Sequence, residues 1–296
     1  MTRKNIIIII SASFLGFMLL LYAGLKFYAA GIAERAVQEA VASASGYVDI
    51  SYRKVSVNVF NMDLKISDVV LLPAGSPPGG DAEIKIQQLV IHEIDDSPGI
   101  PRFLSFTARG LDLKLYEFEP LLVGMGYDEK LLLDLGFKYS YNSSRKEVDF
   151  EKVSLSSDNK GEILLSLNLG NISLEPEQLF FTIMNYPEIV VQGGEISYID
   201  NSLAERFMSF EAEQNNQSIS EYKAAADRDI GKRIDSEEDQ AVRDALGAFR
   251  SFLINPDKIT AVISPPVPVP VGVLMNTDSM PGLAGLLNVK FTLQDL

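Results

Sequence analysis

Regular alternation of apolar and polar residues, in segments long enough to be strands, is the feature that most restricts the fold of this chain. In LLLDLGFKYSY (131–141) every second side chain is apolar or aromatic, and the period recurs in EILLSLNLGNISL (162–174). Because successive side chains of a strand point to opposite faces, this period predicts strands with one apolar face. Short turns such as NSSRK (142–146) join these segments. The chain is therefore predicted to be mainly β, a long-stranded antiparallel meander that forms a sandwich or a half-open groove.

Six aliphatic side chains of these segments are the candidates for an apolar ligand-binding face. They are Leu131, Leu133, Leu135, Ile163, Leu165 and Leu167. The same residues suit the filled core of a closed sandwich, and we favour the core because a sandwich needs such residues on its inner faces. An open groove lined by them would instead indicate binding of a lipid or another apolar ligand.

The N-terminus predicts a membrane anchor. The uncharged run IIIIISASFLGFMLLLYAGL would span roughly 30 Å as a helix, the thickness of the hydrocarbon layer. Arg3 and Lys4 precede the run and Lys26 follows it, so the positive-inside rule places the N-terminus in the cytoplasm and the bulk of the chain outside. We expect a single-pass helix at 6–28 whose partner is the lipid bilayer. A cleaved signal peptide is the alternative, but its apolar core is usually only about 7–15 residues.

Composition divides the chain into six parts. They are a cytoplasmic tail at 1–5, the transmembrane helix at 6–28, a juxtamembrane helix at 29–46, a β-rich extracytoplasmic domain at 47–200, a helical insertion at 201–254, and C-terminal strands at 255–296 that complete the β domain. The insertion is charged and free of proline, and its spacing predicts two or three helices. Ser236 with Asp239 resembles a capping box. The last helix is expected to bury one stripe, formed by Val242, Leu246, Phe249 and Leu253.

Charge and cysteine content exclude several classes of function. The net charge is −14, and a surface this acidic repels nucleic acid, which is therefore not an expected partner. The chain contains no cysteine, so it has no disulfide scaffold, zinc–thiolate site or thiol nucleophile.

No motif in the sequence predicts catalysis or a cofactor. His92, the only histidine, shares its strand parity with apolar residues, and a partly buried structural role is favoured over a catalytic one. DRDIGKRIDSEE (227–238) places acids at four positions of a calcium-binding loop, but Lys232 stands where that loop needs glycine. A charged helix–turn–helix is the favoured interpretation. We expect no enzyme, no cofactor and no metal site.

The start of the chain resembles that of a known family. The predicted anchor and short helix are followed by GYVDISYRKVSVNVFNMDLKISDVVLLPAG (46–75), which is similar to the opening of AsmA-like proteins of Gram-negative bacteria. The resemblance covers about residues 1–75 and supplies no catalytic residues. It implies a periplasmic domain tethered to the inner membrane, with a part in envelope biogenesis or lipid handling.

Two functions of different classes follow. In the first, a membrane-anchored envelope protein holds a lipid on the apolar face of its sheet. In the second, an assembly or interaction subunit docks onto a membrane protein complex through its acidic extracytoplasmic domain.

The proline-rich stretch ISPPVPVPVG (263–272) is expected to be an edge or cover segment of the β domain. In an extended segment, Pro266, Pro268 and Pro270 delete the donors of one edge, whereas the intervening valines keep theirs along the other and share one face. There are two alternatives for this stretch, namely a polyproline spacer and a ligand for a proline-binding partner.

Overall fold

The computed structural model describes most of the chain beyond the predicted anchor. The described residues are 29–77, 79–95, 100–114, 118–127 and 131–294. The predicted helix 6–28 and its flanking Arg3, Lys4 and Lys26 lie outside them. Within these ranges no helix has the length and apolar character needed to cross a bilayer.

The described residues form a mainly antiparallel β structure with several helices. The strands are β1 Val48–Ser51, β2 Lys54–Val57, β3 Leu64–Pro73, β4 Ile84–Ile94, β5 Phe103–Asp112, β6 Leu133–Asn142, β7 Glu147–Ser157, β8 Gly161–Gly170, β9 Val190–Asp200, β10 Lys258–Ile263, β11 Val269–Pro270 and β12 Lys290–Gln294. The α-helices are α1 at 29–44, α2 Glu119–Gly124, α3 Pro176–Met184, α4 Leu203–Gln214, α5 Ile219–Ser236, α6 Gln240–Ile254, α7 Val271–Met275 and α8 Met280–Leu287, with a 3₁₀ turn at Tyr186–Glu188.

The chain divides into two compact units. The N-terminal unit comprises the described residues up to Glu93 together with Thr107–Leu113. The C-terminal unit comprises Ile94–Phe106 and the described residues from Lys114 onward.

In the N-terminal unit, β1 and β2 both pair antiparallel with β3, which pairs on its other edge with β4. The sequence predicts a bulge at Arg53–Lys54, where the parity of the apolar residues shifts. The register with β3 is the same on both sides of this point, since Ser51 pairs with Val70 and Lys54 with Ser67. The irregularity lies at Asp68 of β3, which the pairing with β4 leaves out without a shift in register. Asp68 has a left-handed backbone, and its carboxylate forms an ion pair with Arg53.

In the C-terminal unit the strands pair in the order β6-β7-β8-β9-β10-β12, all antiparallel to their neighbours, and β11 pairs antiparallel with β9. Their registers align residues of one parity into rows across the sheet. The first apolar row is Leu135, Leu155, Ile163, Tyr198 and Ile259. The second is Phe137, Val153, Leu165, Ile196, Ala261 and Phe291. We call the side of the sheet that bears these rows the apolar face.

The opposite side of this sheet is largely polar. One of its rows contains Ser154, Leu164, Ser197 and Thr260. Ser197 is buried, and its hydroxyl forms a 2.7 Å hydrogen bond with that of Thr260. The alternation in the sequence therefore becomes one apolar and one polar side.

Different elements cover the two ends of the apolar face. At one end α6 packs on β10 and β12, and the Phe252 ring lies 5.7 Å from that of Tyr198. At the other end Tyr139, Tyr141 and Val148 are buried with Ile172 in a core cluster.

The three helices α4, α5 and α6 follow one another between β9 and β10. The predicted capping box is wrong, because Ser236 ends α5, whereas Asp239 alone caps α6 by accepting from the Val242 N–H at 3.1 Å. A capping box does form at the start of α5, between Ser218 and Glu221.

The buried side of α6 also differs from the predicted stripe. Phe249 is exposed, whereas Ala248 and Phe252 are the buried residues of the helix. The apolar side of α6 is wide enough to offer two overlapping stripes, and the packing selects the one that contains Phe252. In α5, residues Asp227–Ser236 are helical, so the acidic stretch is not the loop that a calcium site requires.

The proline-rich stretch pairs with the sheet through its C-terminal half. Val269 is buried opposite Val191 of β9, and the Val271 N–H donates to the Ile189 carbonyl at 2.7 Å. The prediction of pairing along one edge is confirmed for these two valines. Val267, in the N-terminal half of the stretch, is by contrast 68% exposed.

Candidate functional site

An apolar cavity lies in the C-terminal unit, beside the β8–β9 end of the apolar face. Its volume is about 260 Å³. The sheet side of its wall is formed by Leu131, Leu133, Leu155, Ser156, Ser157, Gly161, Ile163 and Tyr198. The helical side is formed by Phe118, Leu121, Leu122, Met125 and Leu203, with Lys160 at the turn between β7 and β8.

Helix α2 presents one apolar side to the cavity. Phe118, Leu121, Leu122 and Met125 are spaced i, i+3, i+4 and i+7, which places them on one side of a helical turn. Leu122 and Met125 are buried. A Cβ at Gly124 would come within 2.7 Å of the Phe210 ring, so glycine is what allows α2 and α4 to approach this closely.

The structure brings three of the six predicted face residues together at the cavity, namely Leu131, Leu133 and Ile163. Leu135 lies in the first apolar row but outside the cavity wall. Leu165 and Leu167 lie successively further along β8 on the same face.

The apolar face beyond the cavity is not closed. Leu133 is 8% exposed, but Ile163 is 47% and Ile196 is 45% exposed, and Leu165 and Leu167 are intermediate. Aliphatic side chains half exposed in adjacent rows form a continuous apolar surface next to the cavity.

Two cationic side chains flank Tyr127 at the edge of the cavity. The Lys160 Nζ lies 4.8 Å and the Arg206 Cζ 4.3 Å from the centre of the tyrosine ring, within cation–π range. The Tyr127 hydroxyl forms a 2.7 Å hydrogen bond with that of Ser202, which donates in turn to the Asn159 carbonyl. The ring is thereby fixed between the β7–β8 turn and the start of α4.

Tyr198 contributes a phenol to the cavity wall. Burial, together with a 2.7 Å hydrogen bond to the Asp200 carboxylate, raises its pKa far above the ordinary tyrosine value. The phenol therefore stays neutral and acts as a wall and a hydrogen-bond donor. The Asp200 Oδ1 also accepts from the Ala204 N–H at 2.8 Å, which helps to start α4.

The N-terminal unit has a larger cleft of about 530 Å³, which is lined mostly by polar residues and contains His92. The imidazole lies 3.1 Å from the Asp63 carboxylate and 3.0 Å from the Thr107 hydroxyl, so a hydrogen-bonded row crosses from the start of β3 to β4 and β5. The side chain is 38% exposed, and both ring nitrogens have hydrogen-bond partners. The β3–β4 register explains the row, since Leu64 pairs with Ile91 and Asp63 thus lies opposite His92.

Across the described residues, no group of three or more His, Cys, Asp or Glu side chains is arranged to hold a metal ion.

Sequence comparisons cover part of this site. A family model described only as "Uncharacterized protein" matches residues 154–294. The matched segment includes Leu155, Ile163, Tyr198 and Leu203 of the cavity wall, but not α2. The comparison with curated proteins found no match.

Proposed function

We propose that this chain is a non-enzymatic, single-pass envelope protein that binds the apolar part of a lipid in a half-open groove. The observation that carries the proposal is the apolar cavity continued by half-exposed rows on the same face, with Ile163 in both. A filled sandwich core would bury Leu165, Ile196 and Ile163 far more completely. In a lipid-binding groove these exposed side chains would contact the acyl chain, whereas a filled core does not explain why they are exposed.

The size of the cavity indicates that the groove must contribute as well. At about 30 Å³ per small group, 260 Å³ accommodates roughly nine methylenes. Burying them would contribute about 7 kcal/mol at 0.8 kcal/mol each. Association itself costs roughly 4–15 kcal/mol, so the cavity alone would give weak binding. A longer acyl chain that continues over the Ile163, Leu165 and Ile196 side chains would bind more tightly.

Residues 6–28 are proposed to anchor the chain in the inner membrane, with the N-terminus in the cytoplasm and the folded units in the periplasm. Arg3, Lys4 and Lys26 would flank the membrane-spanning helix. The resemblance of residues 1–75 to AsmA-like proteins supports this location and a part in envelope biogenesis or lipid handling. The anchor would keep the groove near its ligand.

Native mass spectrometry of the detergent-extracted full-length protein tests the lipid proposal. We expect a co-purified lipid on the wild type and its loss from Ile163→Glu, because a carboxylate in the groove repels an acyl chain. Leu164→Glu is the matched control, since this residue lies on the same strand but on the opposite face. Circular dichroism verifies that both variants fold. A wild-type protein without lipid, or a lipid retained by Ile163→Glu, would contradict the proposal.

A second candidate function is an assembly subunit that docks onto a membrane protein complex. The observation that favours it is the exposed apolar surface of α3, where Phe180, Phe181, Ile183 and Met184 are each at least 60% exposed. Such a cluster is typical of an interaction surface. Replacing Phe180 and Phe181 by serine would reduce cross-linking to a protein partner in membranes and leave lipid retention unchanged. Equal cross-linking of wild type and variant would argue against docking through α3.

A further inference from the structure

Lys160 and Arg206 place two positive charges at the edge of an apolar cavity in a chain whose net charge is −14. Lys160 lines the cavity directly. Arg206 donates to the carbonyl of Gly126 at 2.7 Å and, more weakly, to that of Met125, whose side chain is part of the cavity wall. Lys160 therefore lies in the cavity wall, and Arg206 lies next to the wall residue Met125.

The backbone is fixed at both residues. The Lys160 carbonyl accepts hydrogen bonds from the N–H groups of three consecutive residues, Asn201, Ser202 and Leu203. Arg206 lies one helical turn further along α4. The Tyr127 ring packs against both side chains and limits their freedom. Less side-chain entropy is then lost when a ligand binds.

Within the described residues, neither cation has a carboxylate within ion-pair distance. The ion pairs of the C-terminal unit involve other residues, such as Arg250 with Asp227 and Lys138 with Glu151. The nearby Asp200 already accepts from the Tyr198 hydroxyl and the Ala204 N–H. Lys160 and Arg206 thus remain available to an anion supplied by a ligand.

We propose, on the basis of the lipid-binding function above, that the cavity takes a fatty-acid anion with its carboxylate at Lys160 and Arg206. The cavity volume fits the first eight or nine carbons of one chain and leaves no room for a second chain beside it. The remaining carbons leave the cavity past Ile163 and lie on the apolar face. Hydrogen bonds to a charged group favour the carboxylate over a neutral head by about tenfold, allowing for the exposure of Arg206.

The test uses the full-length protein in an amphipathic polymer with two photoreactive probes of equal chain length, dodecanoic acid and dodecanol carrying a diazirine. Cross-linked peptides are identified by mass spectrometry, and half-saturation is measured for each probe. We expect labelling of peptides that line the cavity, at about tenfold lower concentration for the acid. Lys160→Gln with Arg206→Gln should remove this difference, so that within this variant the acid and the alcohol reach half-saturation at the same concentration. Lys152→Gln with Arg228→Gln, two exposed cations outside the cavity wall, is the charge-matched control.

The outcomes separate the two proposals. Equal half-saturation for acid and alcohol in the wild type, with both labelling the cavity, would overturn the carboxylate site and leave lipid binding intact. The carboxylate site would also be overturned if the control variant lost the preference for the acid as fully as Lys160→Gln with Arg206→Gln does. The preference would then depend on net charge and not on these two residues. Labelling of the cavity by neither probe would overturn both proposals. A preference lost only when Lys160 and Arg206 are replaced supports the site.

Discussion

Truncation of Ile163 distinguishes an open apolar face from a filled core. Ile163→Ala removes three carbons, worth about 2.4 kcal/mol if fully buried at 0.8 kcal/mol each. Because Ile163 is 47% exposed, about half of this, roughly 1.2 kcal/mol, should be lost from the stability of the C-terminal unit. Leu133→Ala removes the same number of carbons from a side chain that is 8% exposed, and a residual cavity adds to its effect, so we expect about 3 kcal/mol.

Hydrogen exchange read by mass spectrometry is the appropriate assay, because it reports the opening free energy of β6 and β8 separately from the rest of the chain. Leu164→Ala on the opposite side of β8 serves as the comparison for any loss of strand propensity. A loss of about 3 kcal/mol for Ile163→Ala, equal to that for Leu133→Ala, would mean that the first apolar row is core. The groove and the carboxylate site would then both lack a basis.

Two further variants test the packing of the C-terminal unit. Gly194→Val should destabilise the β8–β9 pairing by about 1–3 kcal/mol, because a Cβ at Gly194 would lie 2.6 Å from the Ser166 carbonyl oxygen. An unchanged thermal unfolding temperature would contradict this packing. Arg250 donates two hydrogen bonds to the Asp227 carboxylate, at 2.6 and 2.9 Å, and this ion pair lowers the pKa of Asp227. Asp227→Asn breaks the ion pair and should therefore increase amide hydrogen exchange in α5 at neutral pH. The ion pair stabilises the folded chain at pH values above the ordinary aspartate pKa, and this stabilisation is lost as the pH falls through the lowered pKa of Asp227. The exchange rates of wild type and variant should therefore become equal in acid. A difference that persists in acid would place its origin elsewhere.

The sequence predicts the β-rich class and the sides of the strands because period-2 alternation is a local property. Leu131, Leu133 and Ile163 meet at the cavity because antiparallel neighbours β6, β7 and β8 are joined by short turns, which align their apolar sides. Leu135, Leu165 and Leu167 share that side, but which part of a sheet is covered depends on elements elsewhere in the chain. The predicted core therefore has a closed part around Leu133 and a half-exposed part around Ile163.

The helical wall of the cavity has a signal in the sequence. Phe118, Leu121, Leu122 and Met125 have helical spacing immediately before a predicted strand, which marks a short helix with one apolar side. The cationic edge had no such signal. Lys160 and Arg206 are far apart in sequence and come together through the Tyr127 ring and through the hydrogen bonds that the start of α4 donates to the Lys160 carbonyl, so their proximity depends on tertiary structure.

The length of β8 has a consequence for how many ligands the groove can hold. Gly161 lies at the cavity and Gly170 beside the buried Tyr141–Val148 end, so at about 3.3 Å per residue the strand spans roughly 30 Å. That is the full hydrocarbon thickness of a bilayer, which two acyl chains fill end to end. A chain that begins at Lys160 would end near Leu165, halfway along. Beyond that point Leu169 packs against the buried Tyr141–Val148 cluster, so this end of the strand is already covered and the open part of the groove holds one chain, giving a stoichiometry of one.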